Sequence, residues 1–310
     1  MIPISFREHT PCTVKALTDL PLDSASPSPE FEHSDVVNEI VELTGTARCE
    51  VEHRVRMESI QLGWNVKRDA ERFHISPHHF DERMAKLYRE GDGFIYETLV
   101  FWKRPYRQNW TALALERIRK LGRERARVLL LGDGSGNEAL YLSRHGVVVD
   151  YCEFPGSLTF DFAVRRFARQ KATVNVITER ASIPPGTYDA VLSFEVLEHL
   201  PDPMAELKSI SSYLHPAGIA LITEAFSGIN PMLPTHLKCN LRHVGRLPFM
   251  CADAGLCFSW HGPGWKPWEF VKRSASKLQL YSDMRIGKFV LFYRFPRLWR
   301  TLHYLRGISR

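Results

Sequence analysis

Three glycines alternate with polar residues in the segment from Val128 to Leu140, which reads VLLLGDGSGNEAL. An apolar run precedes these glycines and a helical pattern follows them, so Gly132 permits a tight turn and Gly134 lets the backbone approach a ligand. Gly136 opens the next helix, whose free N–H groups should face the ligand. The spacing predicts a nucleotide-type binding loop, a signal that many different nucleotide-binding proteins share.

Carboxylates and a histidine follow the later apolar runs at positions that suit binding and proton transfer. Glu153 ends the run VVVDYCE, seventeen positions after Gly136, where a carboxylate can accept both ribose hydroxyls of an adenosine. Glu195, Glu198 and His199 stand together in the string FEVLEH. A histidine beside a ligand can act as a general base, because its ordinary pKa lies near neutrality.

The elements that carry these residues alternate between strand and helix from about Arg127 to His261. Apolar strands without a polar face fit burial on both sides, and the alternation predicts a parallel, doubly wound α/β sheet. The strand candidates are RVLLLGDG, VVVDYCE, VNVIT, YDAVLSF, GIALITEAF and LCFSW. KFVLFYRF, from Lys288 to Phe295, is a further strand candidate after the Trp- and Pro-rich excursion HGPGWKPWEF.

Four zones are predicted along the chain: a flexible arm at 1–34, a helical lid at 35–124, a Rossmann-like ligand-binding domain at 125–295 and a basic helix at 296–310. The arm is rich in Pro, Ser and acidic residues, which disfavours a packed core. In the lid, Ser34 or Asp35 can cap a first helix, and Ser76-Pro77 predicts the start of another. The many aromatic residues of the lid could pack helices together, cover the ligand, or do both.

The string YDAVLSFEVLEHLPDPMAELKSISSYLHPAGIALI resembles the corresponding region of class I S-adenosylmethionine (SAM)-dependent methyltransferases. The resemblance extends from about Val128 to Ile222 and keeps the glycine motif in the same order. It implies a doubly wound Rossmann-like methyltransferase sheet with helices on both faces, an N-terminal helical lid, and SAM as the cofactor. The branch that carries LEH includes ubiquinone-type and small-RNA O-methyltransferases.

This resemblance implies a role for each of several groups of residues. The methionine and ribose end should lie on the glycine loop, the ribose near the end of the second strand, the adenine after the third, and the sulfonium near the end of the fourth. The residues of the glycine loop are Gly132, Asp133, Gly134, Ser135, Gly136 and Asn137. Those near the ribose are Glu153 and Phe154, and those near the adenine are Glu179 and Arg180. Those near the sulfonium are Phe194 and Glu195.

One residue departs from the family pattern. An acid that helps to anchor the methionine ammonium usually stands where this chain has Leu130. Leucine cannot accept a hydrogen bond, so Asp133, Glu195 or groups from the N-terminal helices must hold that end. Arg107 is expected near the methionine carboxylate.

The resemblance implies a methyltransferase for a small-molecule acceptor, with a role in biosynthesis such as secondary metabolism. His199 and Glu195 are the predicted catalytic residues, and the ring of Tyr96 or Tyr106 is expected over the cationic sulfonium. Two alternatives stay open. One is SAM consumption without a methyl acceptor, by cyclisation to azetidine-2-carboxylate with release of methylthioadenosine. The other is 2′-O-methylation of RNA.

A metal is a further alternative. Glu195, Glu198 and His199 match the E-x-x-E-H pattern of the O-methyltransferases named above. In those enzymes the pattern and a later histidine bind a divalent ion. His236 or His243 could supply that last ligand. Many members of the superfamily carry LEH without a metal, so we predict catalysis without one.

Composition limits the remaining possibilities. The chain has 310 residues, of which 44% are hydrophobic and 25% charged, a mixture typical of globular enzymes. It has no apolar run of membrane-spanning length and no secretion signal, which predicts a cytoplasmic enzyme without a membrane partner. The six cysteines are scattered, so neither disulfides nor structural zinc are expected. The net charge of +6 comes partly from an arginine-rich tail that we interpret as solvated, so no nucleic-acid partner is expected. The oligomeric state is not predicted.

Overall fold

The computed structural model of the protein describes residues 34–261 and 266–273. The first part of the described chain is helical, as the sequence of residues 35–124 predicted. The helices are α1 (Ser34–Thr44), α2 (Arg48–Ile60), α3 (Trp64–Arg72), α4 (Glu82–Glu90), α5 (Gly93–Trp102) and α6 (Pro105–Arg119). No helix within the described ranges is long and apolar enough to cross a membrane.

The second part alternates strands and helices. In chain order its elements are β1 (Arg127–Leu131), α7 (Asn137–Arg144), β2 (Val148–Cys152), α8 (Leu158–Arg169), β3 (Val174–Ile177), β4 (Tyr188–Phe194), α9 (Pro203–Tyr213), β5 (Leu214–Thr223), α10 (Leu247–Asp253), β6 (Leu256–His261) and β7 (Trp268–Lys272). Within the described residues, the strands form one seven-stranded sheet in the order β3-β2-β1-β4-β5-β7-β6. The strands β1 to β5 pair in parallel, and β7 runs antiparallel to both β5 and β6. The predicted doubly wound α/β fold is confirmed.

Alternate residues of β1 explain why its sequence is apolar throughout. Val128 and Leu130 face a core cluster that contains Trp110 of α6, whereas Leu129 and Leu131 face a second cluster that contains residues of α9 and α10. A strand covered on both faces has no solvent side, so the polar alternation of a half-exposed strand is absent. Leu130, which replaces the acid of the family pattern, is 2% exposed in the first of these clusters.

The N-terminal helices pack on the sheet domain through α1, α5 and α6. Apolar residues of α1, α2 and α5 form one cluster with Phe162 of α8, and residues of α3 and α4 form another with Leu237. The opposite face of α5 lies toward the carboxyl ends of the strands, where the glycine loop begins. Burial of these apolar surfaces against the sheet domain fixes the helices above the binding site.

Three local predictions need correction. Helix α4 begins at Glu82, not at Ser76-Pro77, because the Asp81 side chain caps it by accepting the N–H of Met84 at 2.9 Å. The connection from β3 to β4 holds only a short 3-10 turn, not a full helix. Part of the Trp- and Pro-rich excursion forms β7 in the sheet interior, between β5 and β6. Residues 1–33 of the arm predicted at 1–34, the predicted strand from Lys288 to Phe295 and the predicted helix at 296–310 lie outside the described residues, whereas Ser34 belongs to α1.

Candidate active site

A cavity of about 530 Å³ opens at the carboxyl ends of β1, β2 and β4 and is covered by α4 and α5. The glycine loop, Glu153 and Phe194 line it from the sheet side, whereas Tyr88 and Phe94 line it from the helical side. The carboxyl edge of a parallel sheet is where open α/β folds bind their ligands. The geometry therefore places the predicted binding loop and the predicted catalytic edge in one cavity.

The glycine loop is held from three directions. Gly134 has φ of +59°, and a Cβ atom at this position would lie 2.6 Å from the Thr98 methyl carbon of α5. The Tyr151 hydroxyl donates to the Gly134 carbonyl at 2.6 Å, and the Glu153 carboxylate accepts the Gly134 N–H at 2.9 Å. Only glycine combines this backbone conformation with so close an approach to a neighbouring helix.

Asp133 serves the helix that follows the loop. Its carboxylate accepts the N–H groups of Glu138 at 3.1 Å and of Ala139 at 2.8 Å, so two of the free donors at the start of α7 are already satisfied. Burial and the nearby Glu138 raise the pKa of Asp133. This corrects the expectation that the helix amides face the ligand, although Asp133 itself lines the cavity.

Ser135 and Asn137 form hydrogen bonds to Thr98 of helix α5. The Ser135 and Thr98 hydroxyls share a hydrogen bond, and the Asn137 side-chain amide donates to the Thr98 carbonyl at 3.2 Å. The Asn137 side-chain oxygen accepts from Arg166 at 2.6 Å. Sequence analysis missed Thr98, because a single threonine inside a helix carries no signal of contact with a loop 37 residues later.

Arg107 lies at the cavity wall in an aromatic surrounding. Its guanidinium lies 2.6 Å from the Glu138 carboxylate, and its central carbon is 5.2 Å from the ring centres of Phe101, Trp110 and Phe194. Its Nη1 atom is buried and has no hydrogen-bond partner among the described residues. A buried donor without a partner is costly, so this position suits an anionic group of a ligand.

Five predicted site residues do not line the cavity: Ser135 and Gly136 of the glycine loop, and Tyr96, Glu179 and Arg180 of other elements. Tyr96 is 1% exposed on the face of α5 that packs on the other helices, where the Arg54 guanidinium lies 3.8 Å from its ring centre. Arg180 donates to Glu206 at 2.6 Å, and Glu179 is exposed at the start of the same turn. Tyr96 cannot cover a sulfonium from this position, and Arg180 is committed to its ion pair. Tyr106 and Phe154, in contrast, line the cavity.

Glu195 ends β4 in an unusual backbone conformation. Its φ is +58°, in the left-handed region that non-glycine residues rarely adopt, and its N–H donates to the Thr223 hydroxyl at 3.0 Å. Such strain is typical of functional positions. Burial raises the pKa of Glu195 to about 7.

Glu198, His199 and His236 form a cluster whose ligand atoms all lie within 4.8 Å of one another. Glu198 is 1% exposed, and neither of its carboxylate oxygens has a hydrogen-bond partner within the described part of the chain. Burial lowers the pKa of His199 to about 4 and that of His236 to about 2, so both imidazoles are neutral. A carboxylate with two neutral imidazoles is a donor set that suits a divalent transition metal. His243 lies apart, against Phe226.

His199 is oriented by two oxygens. Its Nδ1 atom is 3.3 Å from the Thr235 carbonyl and 3.1 Å from the Tyr88 hydroxyl of α4. A carbonyl can only accept, so Nδ1 carries the proton and Nε2 keeps its lone pair. The second ring nitrogen of His199 is therefore able to take up a proton or to bind a metal.

Comparison with known proteins agrees with this geometry. The fold is similar to that of the CurJ carbon methyltransferase, with a TM-score of 0.50 and 13% sequence identity over 78% of this chain and 71% of that one. Among curated proteins, the ubiquinone biosynthesis O-methyltransferase of Xanthomonas campestris is 32% identical over 104 residues, which are 32% of this chain and 42% of that protein. The enzyme of the same name from Vibrio campbellii is 29% identical over 36% of this chain and 47% of that protein. The chain thus spans less than half the length of these relatives.

The fold and the loop are those of the class I SAM-dependent methyltransferases. The family model for the methyltransferase domain matches residues 103–261, about half of the chain. The chain belongs to this methyltransferase domain family, which confirms the predicted superfamily, its class of enzyme and its cofactor, SAM. The match begins after α5, so the first five helices lie outside it.

Proposed function

We propose that the protein is a SAM-dependent methyltransferase for a small-molecule acceptor in a biosynthetic pathway. The observation that carries this proposal is the single cavity that joins the glycine loop to Glu195 and His199 under an aromatic helical cover. The relatives named for ubiquinone biosynthesis support a small-molecule acceptor. A cytoplasmic location, the absence of a nucleic-acid partner and the lid function of 35–124 remain predictions.

The cofactor is held by groups at the two ends of the cavity. Glu153 accepts hydrogen bonds from the ribose hydroxyls, and the unpartnered Nη1 atom of Arg107 donates to the methionine carboxylate. Phe154, which is 44% exposed at the cavity wall, covers the adenine. The Tyr106 ring lies beside Arg107 in sequence and lines the same wall, where an aromatic face stabilises the sulfonium.

Methyl transfer is an in-line displacement at the methyl carbon of SAM. The acceptor atom forms a bond to that carbon, the carbon–sulfur bond breaks, and S-adenosylhomocysteine leaves with the electron pair on sulfur. The acceptor loses a proton, which the neutral imidazole of His199 takes up at Nε2. Burial under α4 and α5 excludes water and aligns the acceptor behind the methyl group.

Metal-dependent methyl transfer is a second candidate, because the unpartnered Glu198 carboxylate favours it. An ionised carboxylate buried without a partner is very costly, and a cation held by Glu198, His199 and His236 would remove that cost. A divalent ion in this position would supply Lewis-acid activation of an acceptor hydroxyl. In this candidate His199 is a ligand, not the base.

The experiment for both candidates is incubation of the purified protein with SAM and a library of small metabolites, followed by mass spectrometry. Formation of S-adenosylhomocysteine only when an acceptor is present is the expected result. Methylthioadenosine from SAM alone would contradict methyl transfer and support the cyclisation alternative. Methylation of an RNA pool, but of no small molecule, would show that the acceptor is RNA.

A further inference from the structure

Helix α5 presents a stripe of four residues to the cavity. Phe94, Glu97, Thr98 and Phe101 stand at the spacing i, i+3, i+4 and i+7, which places them on one helical face. Thr98 contacts the glycine loop, and the two phenylalanines are apolar walls. Glu97 is the only ionisable residue of this stripe, and neither the fold nor the cofactor roles above use it.

Glu97 is partly buried, and no side chain or N–H group among the described residues donates a hydrogen bond to it. The neighbouring buried acids differ in this respect. Glu58 accepts the Asn65 N–H at 2.9 Å as well as the Asn65 side-chain amide at 2.7 Å, and Asp69 accepts the Gly93 N–H at 2.7 Å. The carboxylates of Glu58 and Asp69 thus accept hydrogen bonds from within the helical domain, whereas both carboxylate oxygens of Glu97 are available to a ligand.

The charges around Glu97 also favour a cation. The acid Glu58 raises the pKa of Glu97, and no described basic side chain forms an ion pair with Glu97, whereas the Arg107 guanidinium pairs with Glu138. The part of the cavity near Glu97 therefore differs from the part where Arg107 would receive the methionine carboxylate. Phe94, on the same face of α5 as Glu97, lies against the predicted base His199, with ring centres 6.4 Å apart. We therefore assign Glu97 to the acceptor side of the cavity.

Besides the Glu198, His199 and His236 cluster, the cavity wall under α4 and α5 is largely apolar and aromatic. Leu62, Phe80, Ala85 and Leu233 are among the apolar residues that line the cavity, and the Tyr88 and Phe94 rings stack with centres 5.2 Å apart. Flat aromatic faces beside a carboxylate are the usual surroundings of a bound organic ammonium group, which gains both an ion pair and a cation–π contact.

We propose that Glu97 binds a protonated amine of the methyl acceptor, so that the acceptor is a small apolar or aromatic molecule with a basic amino group. This inference rests on the proposed function, because it assigns the acceptor side of the same cavity. A protonated amine has no lone pair, so the amine held by Glu97 orients the acceptor and a different atom receives the methyl group.

Proton release should accompany this binding. Burial and the nearby Glu58 raise the pKa of Glu97 to about 8, so the empty site holds a neutral carboxylic acid at neutral pH. An ammonium group next to the carboxyl stabilises its ionised form and lowers that pKa. Binding of the amine therefore displaces the proton of Glu97 into the solvent.

The test uses the full chain saturated with S-adenosylhomocysteine and two probes of matched shape, phenethylamine and phenethyl alcohol. We expect the amine to bind at least about tenfold more tightly than the alcohol, because a hydrogen bond to a charged group contributes roughly 1.5–3 kcal/mol. Calorimetry in buffers of different ionisation enthalpy should show proton release with the amine only. Glu97→Gln should remove both the preference and the proton release, with unchanged affinity for S-adenosylhomocysteine.

Glu90→Gln is the matched control, because Glu90 is an exposed acid at the end of α4 that pairs with Lys86. It makes the same side-chain replacement outside the cavity and should keep the preference for the amine. Equal binding of the two probes, no binding of the amine, or a preference that persists in Glu97→Gln would overturn the proposal. Failure of the wild type to bind S-adenosylhomocysteine would instead overturn the proposed function, so the two failures are distinguishable.

Discussion

The Glu153 carboxylate accepts the backbone N–H of Gly134 at 2.9 Å, which ties the end of β2 to the glycine loop that follows β1. The other carboxylate oxygen accepts the Phe154 N–H, also at 2.9 Å. Glu153 therefore fixes the shape of the loop besides offering its remaining lone pairs to a ligand. The predicted ribose-binding acid and the predicted glycine loop are one structural unit.

This relationship sharpens the effect expected of a change at Glu153. Glu153→Ala should weaken binding of S-adenosylhomocysteine by about 1–3 kcal/mol, since both the ribose contact and the loop geometry are lost. Isothermal titration calorimetry measures this directly. Asp161→Ala, which removes an exposed acid from α8, is the control and should bind as the wild type does. Unchanged affinity in Glu153→Ala would exclude Glu153 from the site.

The sequence was most informative where the chain is buried on both faces. Runs rich in apolar residues, such as those around Leu129, Val149 and Val191, predicted the strands β1, β2 and β4, and similar runs predicted β3, β5 and β6. The glycine loop was found for a related reason, because its positive φ angles demand glycine. A conformational requirement of this kind restricts the residue type at a single position, so the sequence alone reveals it.

The parts that sequence analysis missed depend on contacts between distant residues. Strand β7 is short and follows prolines, and only its pairing with β5 and β6 makes it a strand. Tyr96 and Glu97 are adjacent in α5, yet one faces the helical core and the other faces the cavity. Which face of α5 lies over the loop is decided by tertiary packing, and the mixed aromatic pattern of that helix does not reveal it.

Thr98 couples the helical cover to the loop, and its role can be tested apart from the chemistry. Thr98→Val keeps the shape but removes the hydroxyl that bonds Ser135. We expect a loss of S-adenosylhomocysteine affinity of about threefold to tenfold, which corresponds to one hydrogen bond of roughly 0.5–1.5 kcal/mol.

Thr111→Val is the matched control for this change. Thr111 is fully buried in α6, and its hydroxyl has no partner among the described residues. Its replacement should leave the affinity unchanged and should not destabilise the fold. Equal effects of the two valine variants would show that α5 does not organise the loop.

Glu97 should also make stability depend on pH. Its folded pKa of about 8 lies above the ordinary value of 4.5, so the unfolded chain releases this proton first as pH rises. Ionisation of Glu97 favours the unfolded state. The free energy of unfolding of the wild type without ligand therefore decreases as the pH rises from about 4.5 to about 8. Glu97→Gln cannot titrate and should be more stable than the wild type near pH 8, by roughly 1 kcal/mol or more. Urea unfolding at several pH values measures the difference, and parallel curves for the two proteins would refute it.

The last prediction separates the two chemical candidates at the Glu198, His199 and His236 cluster. If a metal completes this cluster, dialysed protein should retain about one divalent ion per chain, with manganese or zinc preferred over magnesium because two donors are imidazoles. Elemental analysis after dialysis measures the content without any need for an acceptor. Glu198→Gln should reduce metal affinity by at least about tenfold, since even changes to residues that only support ligands cost about 10–100-fold.

His243→Ala is the control for metal retention, because His243 lies against Phe226, outside the cluster. It should retain metal as the wild type does. Chelation should abolish turnover, and the added ion should restore it.

If instead the metal-free protein binds no ion and turns over at the full rate, the metal candidate fails. The prediction from sequence then stands, with His199 as the base, and His199→Ala should abolish methyl transfer while cofactor binding persists. The buried Glu198 would in that case be protonated, because a neutral carboxylic acid is the other state in which a buried carboxyl without a partner is tolerated.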